Sequence, residues 1–201
     1  MTTEISKAQD VVSASLAARP GSTERVGAGG VFTVTCHGSD GQLKWSDSFH
    51  NLVVNQGLQG MNSQYFKGIG YTAAWYLGLV TGPGSGTTFS AGDTLASHGA
   101  TGSGGWTENT AYTTTGGAGV RAEVTFGTAT TADPSVITNT ASPSVFTMTS
   151  NAQTIAGAFL ASVSSGTSGI LFSAGDFTGG DKVVDSGDSL SVTYSFSLDA
   201  A

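Results

Sequence analysis

Hydrophobic and polar residues alternate without a break near the C-terminus. Leu190, Val192, Tyr194, Phe196 and Leu198 take one parity, and Ser189, Ser191, Thr193, Ser195 and Ser197 take the other. A period of two predicts a strand with one face on a core and a hydroxylated face toward water or a neighbour. Val120, Ala122, Val124 and Phe126 alternate in the same way with Arg121, Glu123 and Thr125, and Ile155, Gly157, Phe159, Ala161 and Val163 form a third such series. Val31 to His37 and Gln42 to Phe49, which carries Leu43, Trp45 and Phe49, flank Gly38-Ser39-Asp40-Gly41 and read as a hairpin. Thr72 to Val80 is apolar nearly throughout, as suits a central strand. Only Gly57 to Lys67 changes period: Leu58, Met61, Tyr65 and Phe66 fall at i, i+3, i+7 and i+8, one face of a helix.

These elements predict an all-β fold: an antiparallel β-sandwich, jelly-roll-like, with one short helix and an extended N-terminal arm. The arm is residues 1–30, ending in Pro20-Gly21-Ser22 and Gly27-Ala28-Gly29-Gly30. Ile5, Val12 and Leu16 are scattered along it, so it buries little by itself and is either free or ordered against a partner subunit. The body is residues 31–201, with a long glycine-rich loop around 82–119. Phe89-Ser90-Ala91-Gly92-Asp93 recurs as Phe172-Ser173-Ala174-Gly175-Asp176, which reads as a reused strand-to-turn device.

Composition narrows the function classes. Charged residues make up only 10% of the 201, Gly numbers 30, and the net charge is −7. That balance argues against nucleic acid, whose phosphates need Lys and Arg, and against an anionic membrane surface. Met1 to Asp10 has no apolar run of the kind a secretory signal needs, and Ala73 to Val80 is far shorter than a membrane-spanning helix. The single cysteine, Cys36, excludes an internal disulfide. With His37 it forms half a metal site at most, or else a buried strand residue beside an outward imidazole.

Catalytic patterns are missing: there is no G-x-S-x-G elbow, no P-loop and no G-x-G-x-x-G. Asp93, Ser97 and His98 are the nearest to a hydrolase set. Triads draw their members from separate elements, so neighbours in one loop fit a turn that bonds its own backbone better. Asp93, Glu108 and Glu123 show no recognisable carboxylate pairing. Asp181, Asp185 and Asp188 lack the alternating spacing of calcium loops and enclose Lys182. No catalytic residue, metal or cofactor is therefore expected. Of the three tryptophans, Trp75 reads as core and Trp45 as core or interface. Trp106, in the glycine-rich loop, is the best candidate for an exposed contact with protein or sugar.

Several stretches together resemble a family of tailed-phage structural proteins encoded among head and tail genes. They are Gly41-Gln42-Leu43-Lys44-Trp45 with Asp47, His50-Asn51-Leu52-Val53, Tyr71 to Leu79, and Asp93 to His98. Gly105-Trp106-Thr107-Glu108, Tyr112, Gly187-Asp188-Ser189-Leu190 and the final strand complete the set. The match runs in order through residues 40–200, leaves the arm uncovered, and is interrupted by a longer segment at Gly99 to Gly104. The resemblance implies a virion role without catalysis. Acidity, sparse charge and a separate arm favour a capsid decoration or cement protein on the outer head surface, made in the host bacterial cytoplasm. Its partners would be the major capsid protein and its own copies, as a trimer or dimer. Candidate interface residues are Lys7, Arg19, Arg25 and Trp106. A tail or fibre component contacting host glycans is the alternative.

Overall fold

The computed structural model describes residues 26–70, 72, 74–82, 89–98 and 106–200. Among them the chain runs through β1 (Val26–His37), β2 (Leu43–His50), β3 (Leu52–Val53), α1 (Asn55–Lys67) and β4 (Tyr76–Thr81). It continues through α2 (Leu95–His98), β5 (Thr107–Asn109), β6 (Tyr112–Thr114), β7 (Gly117–Ala118) and β8 (Ala122–Glu123). The last elements are β9 (Ser135–Thr138), β10 (Ser144–Met148), β11 (Gln153–Ala161), β12 (Leu171–Asp176), β13 (Lys182–Val184) and β14 (Ser189–Ala200). No helix among the described residues is long and apolar enough to cross a membrane.

Two antiparallel sheets pack face to face as a β-sandwich. The first has the order β2-β1-β14-β10-β6-β7, with β9 also on β14; the second has β3-β12-β11-β4-β5, with β13 on β11 and β8 on β4. As in jelly-roll-like folds, the first and last long strands lie side by side, from Val26↔Ala200 to His37↔Ser189, and the chain passes repeatedly between sheets. On its other flank β14 is paired by β10 as far as Val192 and by β9 from Ser195 onward. The buried Asn139 fills the break. Its Oδ1 accepts from Tyr194 N–H at 2.6 Å, and its Nδ2 donates to Val192 O at 3.3 Å.

The expected alternation of β14 is present: Leu190, Val192, Tyr194 and Phe196 face the core. There they meet Phe32, Val34 and Cys36 of β1, and Leu77, Leu79, Leu160 and Phe172 of the second sheet. The hairpin also forms as its turn residues predict. Gly41 N–H closes onto Gly38 O at 2.8 Å, and Asp40 Oδ1 accepts from Gln42 N–H at 3.0 Å.

Three expectations need correction. The strand expected from Val31 begins at Val26, so Gly27 to Gly30 are strand and not part of the arm. Gly30 is where β1 passes the Tyr194 hydroxyl, which a Cβ would approach to 2.7 Å. The glycine-rich stretch 82–119 is not one loop, since α2, β5, β6 and β7 lie within it. The repeated pentapeptide has two structures: residues 172–176 are strand β12, whereas Ser90 and Asp93 close a turn, Asp93 N–H donating to Ser90 O at 3.0 Å.

The second sheet is covered on both faces. Val80 of β4, Ala156, Phe159 and Ala161 of β11, and Leu171 and Ala174 of β12 form a separate buried cluster with Val54, Leu95 and Trp106. The unbroken apolar run in β4 reflects this, because a strand buried on both sides has no polar parity.

Helix α1 forms where the 3.6-residue period places it, but it docks mainly through its small and amide side chains, with only Met61 of the predicted apolar face packed on the main core. Gly57 and Gly60 are its buried residues. Gly57 lies so close to β12 that a Cβ would stand 2.4 Å from Phe172 O. Gln56 Oε1 accepts from Leu171 N–H at 2.9 Å, and Gln64 Oε1 accepts from Thr72 N–H at 3.1 Å.

This packing separates two substitutions that look alike in sequence. Gly57→Ala must push the helix off a backbone carbonyl and is expected to cost about 1–3 kcal/mol. Gly60→Ala, whose Cβ would meet Ile170 at an ordinary 3.5 Å, is expected to gain about 0.5–1 kcal/mol from helix propensity. Urea unfolding of the two variants checks this; equal stabilities would mean that the close approach carries no weight.

Candidate interaction surface

With glycine, glutamine and the partly buried Met61 turned inward, the rest of the apolar side of α1 faces out. Tyr65 is 84% exposed and Phe66 77%, their rings edge to face at 5.0 Å, and Leu58 is exposed on the same side. The helix ends at Gly68, which takes a left-handed conformation at φ 62°. Gly68 N–H donates to Gln64 O and Ile69 N–H to Ser63 O, each at 3.2 Å, closing the last turn. That turn leaves Ile69 62% exposed. Leu58, Tyr65 and Phe66 fall at i, i+7 and i+8 on one side of the helix, and Ile69 follows just past the turn that ends it. Clustered exposed aromatics of this kind mark contact sites rather than ordinary surface.

A second surface is chemically different. The outward parity of the first sheet is a field of short hydroxyls in cross-strand register. Thr33 lies between Ser48 and Thr193, and Thr35 between Ser46 and Ser191. Neighbours bond one another: Thr33 to Ser48 at 2.7 Å, Thr35 to Ser46 at 3.1 Å, and Ser195 to Thr138 at 2.8 Å. Small neutral side chains already satisfied within the sheet can be covered by a flat partner without stripping water from ions.

Lys7, Arg19 and Arg25 lie outside the described residues. Trp106, expected at the surface, is only 2% exposed. Its indole packs on Phe159 at 5.3 Å and Phe89 at 5.7 Å, and its Nε1 donates to Asp93 Oδ2 at 3.5 Å. The cause is the doubly covered second sheet, whose outer face the tryptophan helps to bury. The apolar run of β4 was the available sign that such a cover had to exist. Trp75 packs edge-on against Phe172, and Trp45 edge-on against Phe177, both bordering the main core.

The carboxylates are engaged in structure. Asp93 Oδ2 also accepts from Ser90 N–H at 2.9 Å, and Ser97 exchanges hydrogen bonds with Thr94. Glu108 is held by Arg121, which its alternation had placed on a polar face but which is buried. Arg121 Nε and Nη2 donate to the two Glu108 oxygens at 2.8 and 2.7 Å. Nη1 donates to Val163 O and Nη2 to Gly166 O, both at 2.9 Å, and the guanidinium lies 5.1 Å above the Phe159 ring. Asp185 and Asp188 converge on Lys44, at 3.8 and 2.6 Å from Nζ. No group of three or more potential ligands able to hold a metal occurs among the described residues. Cys36 is buried, and its thiol is pushed up to about 11, chiefly by burial and further by Asp188.

Removing one partner of the Arg121–Glu108 pair strands the other charge in a dry site. Arg121→Met is expected to cost about 3–5 kcal/mol in denaturant unfolding; a loss under about 1 kcal/mol would place the pair among ordinary surface bridges. Burial raises the Asp188 carboxyl, but the Lys44 hydrogen bond and the Asp185 N–H outweigh it and hold it below the usual carboxylate range. Its stabilising effect is therefore complete above the unfolded value of about 4 and is lost as pH falls through the folded one. Asp188→Asn should be less stable than the native chain at neutral pH, with the gap closing in acid; thermal unfolding across that range checks it. No family model, no curated protein and no solved structure matches this chain.

Proposed function

We propose that this protein is a bacteriophage virion component, a decoration or cement protein that binds the outer surface of the major capsid lattice. The observation that carries the reading is the inverted helix α1. A helix that turns glycines inward and presents Tyr65 and Phe66 to solvent, with exposed Ile69 just past its end, is shaped for a protein partner. The setting is taken from the resemblance of residues 40–200 to tailed-phage structural proteins, and the hydroxyl-rich face offers a second surface for a neighbouring copy or a shell subunit. Cement proteins act by burying area between shell subunits, and repeated interfaces of about 1,200–2,000 Å² suffice. The glycan-binding form of the tail-fibre alternative draws on Trp106 and the long loop, and the burial of Trp106 leaves its indole little face to offer.

The test joins copy number to mutation. Quantitative mass spectrometry of purified particles should count this protein at a level comparable with the major shell subunit; a handful of copies would move it to the tail or a vertex. Tyr65→Ala with Phe66→Ala should leave the fold intact, because both side chains are exposed. Shell binding should weaken by about 30-fold or more, the effect of losing hot-spot aromatics. Undiminished binding would refute α1 as the contact.

A further inference from the structure

The two sheets carry different chemistry on their outer faces. The second is covered by apolar groups from α1, α2 and Trp106. The first is built from hydroxyls. Its central row is Ser48–Thr33–Thr193, and the next is Ser46–Thr35–Ser191–Val145. On the other side of the centre, Val31 pairs with Ser195, which pairs with Thr138. None of these side chains is ionised, in a chain with 14 acidic residues against 7 basic ones. His37 and His50 stand at the margins of the field. Along β1 from Val31 to His37, and along β14 from Ser189 to Ser197, the outward residues are half-buried. Their rotamers are therefore restricted before any partner arrives.

We propose that this face is a self-association surface, on which a second copy of the chain packs its own hydroxyl rows about a two-fold axis lying in the interface. Hydroxyl chemistry selects the same chain as occupant. Each O–H both donates and accepts, so a hydroxyl surface is complementary to its own two-fold image, whereas a patch of one charge sign repels its image. Net charge points the same way. Two copies at −7 repel one another on most approaches, and this field sets no carboxylate against a carboxylate. Val31, Val145, which is 45% exposed, and the threonine methyls add apolar area. Size also fits. Strands lie about 4.8 Å apart, so β2, β1, β14 and the β10–β9 flank span about 19 Å, and the rows from Gly29–Ser197 to His37–Ser189 span about 30 Å. That is about 600 Å² in each copy and about 1,200 Å² in the pair, the lower edge of specific interfaces. Short side chains suit aligned sheet-on-sheet packing, with the strands of the two copies crossing at about 30°. The product is a reversible dimer. It leaves α1, which packs on β12 of the opposite sheet, open to a different partner.

The test uses the full chain alone, so it stands apart from the proposed virion role. Sedimentation velocity from about 1 to 200 µM should show a monomer–dimer equilibrium with a micromolar Kd, as an interface of this size gives. Thr33→Arg sets a cation at the centre of the face and against its own image, and should weaken the dimer about 30-fold or more. Ser48→Arg, at the exposed end of the same row, repeats the test if Thr33→Arg fails to fold. Val183→Arg makes the same charge change at an exposed position of the second sheet and should leave the dimer unchanged. A chain that stays monomeric throughout overturns the proposal, whatever the face then meets. A dimer that survives both Thr33→Arg and Ser48→Arg overturns it too, and loss of that dimer in Tyr65→Ala with Phe66→Ala would assign the pairing to α1. Equal weakening by Val183→Arg also overturns it, since charge and not place would then be the cause.

Discussion

The constraint on which the rest of this structure depends is that the central strands of the second sheet, β4 and β11, are apolar on both faces. One face is met by the first sheet. The other needs a cover that no third sheet among the described residues provides, and the chain builds it from the start of α1, from α2 and from Trp106. A tryptophan can bury roughly 150–250 Å² in such a place, which makes it an economical cover for a thin layer. The same layer holds the only fully buried ion pair among the described residues, Arg121 with Glu108. Four of the donors of Arg121 are used, two on Glu108 and two on the β11–β12 connection, so the charge is tolerated there because it is saturated.

Sequence patterning was informative wherever one face of an element meets water. The alternation of β14 and the Asp40-Gly41 turn translate directly into structure, because a period of two and a demanding turn leave few alternatives. The period of α1 was equally clear, but a period alone does not say which face is inside. Glycine carries no hydrophobic signal, so a helix that docks by close backbone approach looks in sequence like one that docks by its aromatics. Trp106 was obscured for a related reason. The glycines around it suggested a loop in water, whereas its position was set by a demand arising in β4. Arg121 falls on the polar parity of its strand, and nothing local announces Glu108 as its partner.

The two outward surfaces belong to different sheets and differ in chemistry. The stripe on α1 is aromatic and protruding, suited to a pocket on a partner. The hydroxyl face is flat and neutral, suited to another flat surface, and its short side chains lose little conformational freedom when covered. Neither depends on the sparse charges of the chain. Contacts built this way lose little to ionic screening, unlike those resting on surface ion pairs.

Cys36 lies near the hairpin end of β1, buried between the sheets with its thiol disfavoured as thiolate. Nucleophilic sulfur chemistry proceeds through the thiolate, so this sulfur is close to inert toward oxidants and toward other thiols. Placed at the surface, the same thiol would let two copies of the chain join through a disulfide in air. By enclosing its one cysteine sulfur, the fold closes that route to covalent joining of chains.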